Sequence, residues 1–247
     1  QQLRKAFGGL VAVGDVSIKV LEHSMHAIIG PNGAGKTTLF NLLSGTMPPT
    51  SGRIFYHGQD ITNLPPQRRA HLGIGRSFQI TNIFPNLTVL ENIRLSAQAM
   101  GKHNFRFLRL AESYTSYIEK AEDVIAEVGL QGREMVFARN LPHGEKRKLE
   151  LGIMLASDPE LLLFDEPTAG MSSEQVPELI EIINRVIKDN QRTAILVEHR
   201  MDMVMQISDT ITVMSQGNLL AEGTPQEIAT NEQVQKAYLG DLYGDLA

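Results

Sequence analysis

The sequence predicts an α/β protein built on a mainly parallel sheet with helices on both faces, and three observations carry that class. Apolar, strand-like runs alternate with helix-patterned segments along most of the chain. A glycine-rich stretch, GPNGAGKTT at residues 30–38, stands between such a strand and such a helix. A second apolar run, residues 161–164, ends directly on Asp165 and Glu166.

Taken in order, residues 10–29 carry β-rich stretches, including 16–20 and 27–29, with polar turns between them. Residues 36–44 read as the helix after the glycine loop. RIFYHG, at 53–58, reads as a strand before the turn at Pro65 and Pro66. From about residue 87 the pattern becomes helical. Tyr117, Ile118, Ala121, Val124, Ile125 and Val128 fall at the 3.6-residue spacing of one buried face. The run at 87–138 therefore reads as a helical insertion into the α/β core. In LPHGEKRKLE, at 141–150, a Pro-His-Gly turn precedes a basic amphipathic helix that starts after Gly144. Ser172 and Gln175 match a capping box for a helix near 177–189. Residues 193–197 and 210–214 are further strands, separated by a helix that begins near Met201.

Composition bounds the function. At 247 residues the chain is long enough for a substantial core, and 42% hydrophobic with 21% charged residues excludes wholesale disorder. A net charge of −5 gives no electrostatic case for nucleic acid, so none is expected as a partner. The absence of cysteine excludes disulfides and thiolate metal sites. No apolar run approaches the roughly 20 residues that span a bilayer. The opening QQLRKAF has neither a signal-peptide core nor an initiator Met, so the chain is expected to be soluble, with a few native residues preceding it.

The loop at 30–38 matches G-x-x-x-x-G-K-[ST]. Gly30, Gly33 and Gly35, with Pro31, Asn32 and Ala34 between them, let the backbone curl until successive N–H groups face one anion. The helix that follows, opening on Lys36, Thr37 and Thr38, adds the positive end of its dipole. Lys36 can reach the β- and γ-phosphates of a nucleotide, and Thr37 offers Mg²⁺ an oxygen. Asp165 at the strand end would hold Mg²⁺ through water, and Glu166 would polarise the attacking water.

Those two motifs admit many nucleotide enzymes; the residues between them narrow the choice. Gln79 in RSFQ, the stretch LPHGEKRKLELGIML and His199 in LVEH follow in order. The set resembles the nucleotide-binding subunits of ABC transporters across nearly the whole chain. FGGLVAVGDVS, DEPTAGM, VEHRMD and AEGTPQEI…AYLG are similar to one branch of that family, which energises uptake of branched-chain amino acids and related amides such as urea.

The resemblance implies a P-loop core of ABC type over 1–79 and 139–232, with an antiparallel β subdomain. It implies a membrane-coupling insertion over 80–138 and a C-terminal tail over 233–247. Phe7 would stack on adenine, unless it is ordinary core. Gln79 would touch Mg²⁺, and His199 would bind the γ-phosphate. Pro142, His143, Gly144 and Glu145 occupy the family's signature, whose Ser and first Gly are here Pro142 and His143. That signature would meet ATP held by a second ATP-binding subunit, a paralogue or an identical copy. Ile83 and Phe84 would form a groove for a permease helix, unless they too are core. The further partners implied are transmembrane permeases and, indirectly, an extracytoplasmic solute-binding protein, with this subunit peripheral on the cytoplasmic face of the inner membrane. Other readings are a non-transporting ABC ATPase of DNA repair or translation, a nucleotide-dependent interaction module, and a small-molecule kinase or GTPase.

Overall fold

The chain enters through an antiparallel pair, β1 (Leu3–Phe7) and β2 (Leu10–Val16), and then delivers β3 (Met25–Ile29) to the central sheet. The computed structural model describes residues 1–77, 83–101, 115–189 and 191–244. Beside β3 lie β6 (Ile74–Arg76), β7 (Leu161–Asp165), β8 (Thr193–Val197), β9 (Thr210–Ser215) and β10 (Asn218–Gly223). Their order across the sheet is β10-β9-β3-β8-β7-β6, parallel except for the β9–β10 hairpin.

Strand alternation sends side chains into two different cores. Leu162, Phe164, Ala194 and Leu196 join one cluster, while Leu163, Ile195 and Val197 join another on the opposite face. A third cluster sits on Ala27, Ile29, Ile211 and Val213. Both faces are covered, which is why β7 and β8 read as continuous apolar runs.

Helix α1 (Lys36–Leu43) and β1–β2 pack on the second cluster. Below them, β4 (Phe55–Tyr56) and β5 (Gln59–Asp60) form a short hairpin, and α2 (Pro66–His71) follows. Arg69 of α2 is 1% exposed, and its guanidinium donates to the carbonyls of Ile61, Thr62, Leu64, Leu42 and Leu43. It thereby caps the C-terminal end of α1, where unsatisfied carbonyls attract a cation.

The first cluster takes the apolar faces of α3 (Val89–Ala99), α4 (Thr115–Glu127), α5 (His143–Leu155) and α6 (Val176–Asp189). Ala121, Val124, Ile125 and Val128 are buried there as their spacing requires, with Tyr117 packed against them. Helices α7 (Met201–Ile207), α8 (Pro225–Ala229) and α9 (Glu232–Gly244) cover the third cluster, and Val234 of α9 is buried in it. Residues 233–244, expected as a tail, therefore continue the fold as a helix.

Four local expectations change. The strand expected over 16–20 ends at Val16, and that expected over 53–58 shrinks to two residues paired in a hairpin. Helix α5 starts at His143, not after Gly144. Pro142 is its N-cap in an extended conformation, and Gly144 sits inside the first turn with the Gln175 side chain against it. At Ser172 it is the main-chain carbonyl that meets the N–H groups of Gln175 and Val176, so the entry into α6 is a backbone turn.

Candidate nucleotide site

The phosphate loop leaves the C-terminal end of β3 and runs straight into α1. Its two outer glycines are required sterically. Gly30 and Gly35 have φ of 153° and 95°, and a Cβ on either would lie 2.2 Å from a main-chain oxygen, that of Met214 or of Ala12. The loop is thus moulded against the ends of β9 and β2. The Ala34 N–H donates to the Pro31 carbonyl (3.2 Å), and the Gly217 N–H donates to the Ala34 carbonyl (3.1 Å). Asn32 and Gly33 are exposed at the crest. Lys36 is buried with its Nζ folded back on the Gly30 and Pro31 carbonyls, at 2.6 and 3.0 Å. Thr37 is exposed and Thr38 half-buried in the first turn, where N–H groups have no carbonyl one turn earlier to bind.

Two strands away, β7 ends on Asp165. Burial pushes the Asp165 carboxyl up from its ordinary range, although the Arg76 guanidinium, 3.8 Å away, pulls in the other direction. Oδ1 of Asp165 is buried with no hydrogen-bond partner. A buried carboxylate oxygen with no hydrogen-bond partner is a hard donor of the kind that fits Mg²⁺, and the Thr37 hydroxyl at the start of α1 is of the same chemical type. Among the described residues no three His, Cys, Asp or Glu side chains form a metal cage.

Glu166 follows at φ 50°, a left-handed conformation unusual for a side chain with a Cβ. Its N–H donates to the Val197 carbonyl (2.9 Å), and its Oε1 lies 2.9 Å from Nε2 of His199, just beyond β8. Phosphate loop, Asp165, Glu166 and His199 therefore leave the same edge of the sheet, at the C-terminal ends of parallel strands. A cavity of about 840 Å³ opens instead beside the strand starts, against Leu161, Thr193, Glu160 and His57. It has no part in this chemistry.

Other expected residues fall into place unevenly. Phe7 closes β1 and is 47% exposed with Lys5 Nζ 5.3 Å from its ring centre, so it is a surface platform and not core. Gln79 lies outside the described residues; Ser77, two positions earlier, accepts the Asp165 N–H (3.1 Å). Pro142 and His143 are exposed at the start of α5, and Glu145 pairs with Arg133 (3.1 Å). Phe84 is 58% exposed, whereas Ile83 packs partly into the first cluster. Three residues had no signal in the sequence. Arg76 binds Ser44, Thr46 and Asn41 beside Asp165; Asn92 clasps the Phe84 N–H and carbonyl; Glu198 stands buried next to His199.

With that geometry in place, comparison with known proteins is decisive. A family model described as ABC transporter matches residues 13–169. The chain belongs to the ABC transporter family. A second model, for branched-chain amino acid ATP-binding cassette transporters, matches residues 218–242. The chain is 39% identical over 245 residues to the high-affinity branched-chain amino acid transport ATP-binding protein LivG of Salmonella typhimurium, covering 97% of this chain and 96% of that one. It is 38% identical over 244 residues to LivG of Escherichia coli, with the same coverage. Among solved structures, MJ1267, an ATP-binding cassette of an ABC transporter, in its ADP conformation, superposes with a TM-score of 0.85 at 29% identity, covering 97% of this chain and 96% of that one. The fold is that of an ABC cassette, and the chain is an ATP-hydrolysing transporter subunit.

Proposed function

We propose that this ABC subunit drives an importer of branched-chain amino acids or chemically related amides, with ATP bound at the 30–38 loop and hydrolysed beside Glu166. One observation carries the site reading: the glycine loop, Asp165 and the Glu166–His199 pair converge on one edge of the sheet. The cargo reading rests on the 218–242 match and on relatives of that transport class.

In this reading Lys36 leaves its carbonyl partners to bind the β- and γ-phosphates, while loop amides and the α1 N-terminus bind the rest of the chain of phosphates. Phe7 stacks on adenine. Thr37 and Asp165, with Gln79, would hold Mg²⁺, which supplies charge neutralisation on the phosphates. Glu166 accepts a proton from the attacking water as it approaches the γ-phosphorus in line. His199 releases Glu166 and donates its Nε2 proton to a γ-phosphate oxygen. Catalysis is positioning and charge stabilisation, with no covalent intermediate.

The partners are a second ATP-binding subunit, whose nucleotide meets Pro142, His143, Gly144 and Glu145, and transmembrane permeases. No described helix is long and apolar enough to cross a membrane. In this reading the subunit attaches peripherally, through the permeases, on the cytoplasmic face. Permease contact falls on the 80–138 region, where Asn92 holds the Phe84 backbone and the Phe84, Met135 and Phe137 side chains are exposed. The test is ATP-dependent uptake of leucine, isoleucine and valine by proteoliposomes carrying the assembled transporter and its solute-binding protein. Uptake of one of them is expected. ATP hydrolysis that neither these amino acids nor amides such as urea stimulate would refute the cargo and leave the ATPase standing.

A further inference from the structure

Glu198 is 3% exposed, and among the described residues its carboxylate accepts hydrogen bonds from the two loops that carry the hydrolysis pair. Its Oε1 accepts from the Thr168 N–H (3.2 Å) and the Thr168 hydroxyl (2.5 Å). Its Oε2 accepts from the N–H of His199 (2.9 Å) and of Arg200 (3.4 Å). Thr168 is two residues beyond Glu166, and His199 is the next residue after Glu198. One carboxylate therefore spans the gap between the loop after β7 and the loop after β8.

We infer that Glu198 is a positioning residue for hydrolysis, holding Glu166 and His199 in register by clamping Thr168 to the His199 amide. The inference rests on the roles proposed above for Glu166 and His199. The strands do not fix this register alone. Sheet pairing between them ends at Asp165 and Val197, and one further bond joins the Glu166 N–H to the Val197 carbonyl. Beyond that point no ladder bond joins the described residues of the two loops, and Glu166 is held at a left-handed φ that the chain would not choose unaided. A buried carboxylate with four donors supplies charge-assisted bonds where the ladder stops. The same loop is gripped from its far side by α5, since Arg147 donates to the Ala169 carbonyl at 3.0 Å and the His143 ring lies against Gly170. A shift of α5 is therefore transmitted to Thr168, and through Glu198 to His199.

Glutamine is the discriminating substitution. It is isosteric, but its NH₂ must face a backbone N–H on one side or the other; even where it donates to the Thr168 hydroxyl, the Thr168 N–H loses its acceptor, so one half of the clamp is weakened. In the assembled transporter, Glu198→Gln is expected to lower kcat by about 10- to 100-fold, the cost of a misplaced reacting group. ATP affinity should stay within about twofold, because the phosphate loop on β3 is untouched. Thr168→Ser, which keeps both donors, should match the parent, and Thr168→Val should lose turnover in the same direction as Glu198→Gln. The double variant should lose less than the product of the two single losses, as expected for partners in one contact. Unchanged kcat in Glu198→Gln, a parallel loss of ATP affinity and thermal midpoint, or multiplicative losses would each overturn the inference. If Glu198→Gln fails to fold, equal turnover in Thr168→Ser and Thr168→Val does so. Glu166→Gln, run alongside, separates the two readings: if it retains turnover, the assignment of the base has failed and not the clamp alone.

Discussion

Nε2 of His199 and Oε1 of Glu166 lie 2.9 Å apart, each on the first residues beyond neighbouring paired strands. The two side chains satisfy each other across the gap between the loops. The His199 proton that would meet a γ-phosphate oxygen is held by the carboxylate that would take a proton from water. In the proposed mechanism both groups serve the same reacting centre, so the loops that carry them must be held in register.

Glu166→Gln should leave ATP binding intact and remove most hydrolysis. Glutamine keeps the hydrogen bond to His199 and the shape of the loop, but it cannot accept the water proton. General-base assistance is worth about 100- to 10,000-fold, and the loss should fall in that range. Affinity and turnover measured on one preparation decide it; turnover within a few-fold of the parent would remove Glu166 from the role.

At the phosphate loop, Gly35→Ala should abolish nucleotide binding while the rest of the domain persists. Its added Cβ would meet the Ala12 carbonyl at 2.2 Å, and the φ of 95° is itself unfavourable for alanine. The cheapest relief is to move the loop off β2, which spoils the cradle. Calorimetric titration with ATP should show at least a tenfold loss, a change of about 1.4 kcal/mol. Binding equal to the parent would mean that the loop adjusts without cost.

Acid stability should depend on His26. Its ring is buried in β3, with Nε2 2.8 Å from the Thr212 hydroxyl, which in turn donates to Glu222. Burial holds its pKa below the ordinary histidine value, with Glu222 opposing. The folded state therefore binds a proton less readily than the unfolded chain. Stability from this group is present above the unfolded value of about 6.5 and is lost as pH falls from there through the lower folded value. His26→Gln can still bond to Thr212 and does not titrate, so its drop in Tm between pH 7.5 and 5.5 should be smaller than the parent's. An equal drop would place the acid sensitivity elsewhere.

Much of this arrangement was legible from local pattern. Strands β7, β8 and β9 and helix α7 follow runs of apolar residues bounded by polar turns, because buried parallel strands need no alternation. Phosphate-loop chemistry is local too, carried by glycines at fixed spacing. Less legible was whatever depends on a partner distant in sequence. Glu198 and Thr168 are 30 residues apart, and nothing in LVEH marks that glutamate as buried. Arg69 reads as one more charge in PQRRA, although it binds five carbonyls from two segments, 42–43 and 61–64. The turn expected at Pro142 failed for a different reason: proline is tolerated at a helix start, so Pro-His-Gly extends the helix where it seemed to break it.

Coupling to the membrane subunits should be separable from folding at Phe84. Its side chain is 58% exposed, and its backbone is held by Asn92, so aspartate there adds charge to a surface and not to the core. Phe84→Asp should keep the thermal midpoint within about 0.5 kcal/mol of stability, the usual range for surface changes. ATP binding should be unchanged, and solute uptake per ATP hydrolysed should fall in proteoliposomes. A large fall in thermal midpoint together with lost nucleotide binding would show Phe84 to be structural.

Pro142 sets the last test. It caps α5 without a side-chain hydrogen bond, and the amides of His143, Gly144 and Glu145 form the free start of the helix. In the proposed sandwich those three amides face the partner's ATP, and the turn lacks one hydroxyl and one N–H, both of which proline removes. Pro142→Ser restores both. A serine N-cap stabilises a helix by about 1 kcal/mol, so thermal stability should rise slightly. The hydroxyl also adds a donor near developing charge, where one donor is worth up to about 3 kcal/mol, or roughly 100-fold in rate. Because amides already supply most of the cradle, a several-fold rise in turnover is expected in the assembled transporter. The gain belongs to the nucleotide that this signature faces. Paired with a paralogous partner, it should therefore persist when this chain carries Glu166→Gln and vanish when the partner's own base is replaced. Stability raised with turnover unchanged in every pairing would confine Pro142 to the fold of α5.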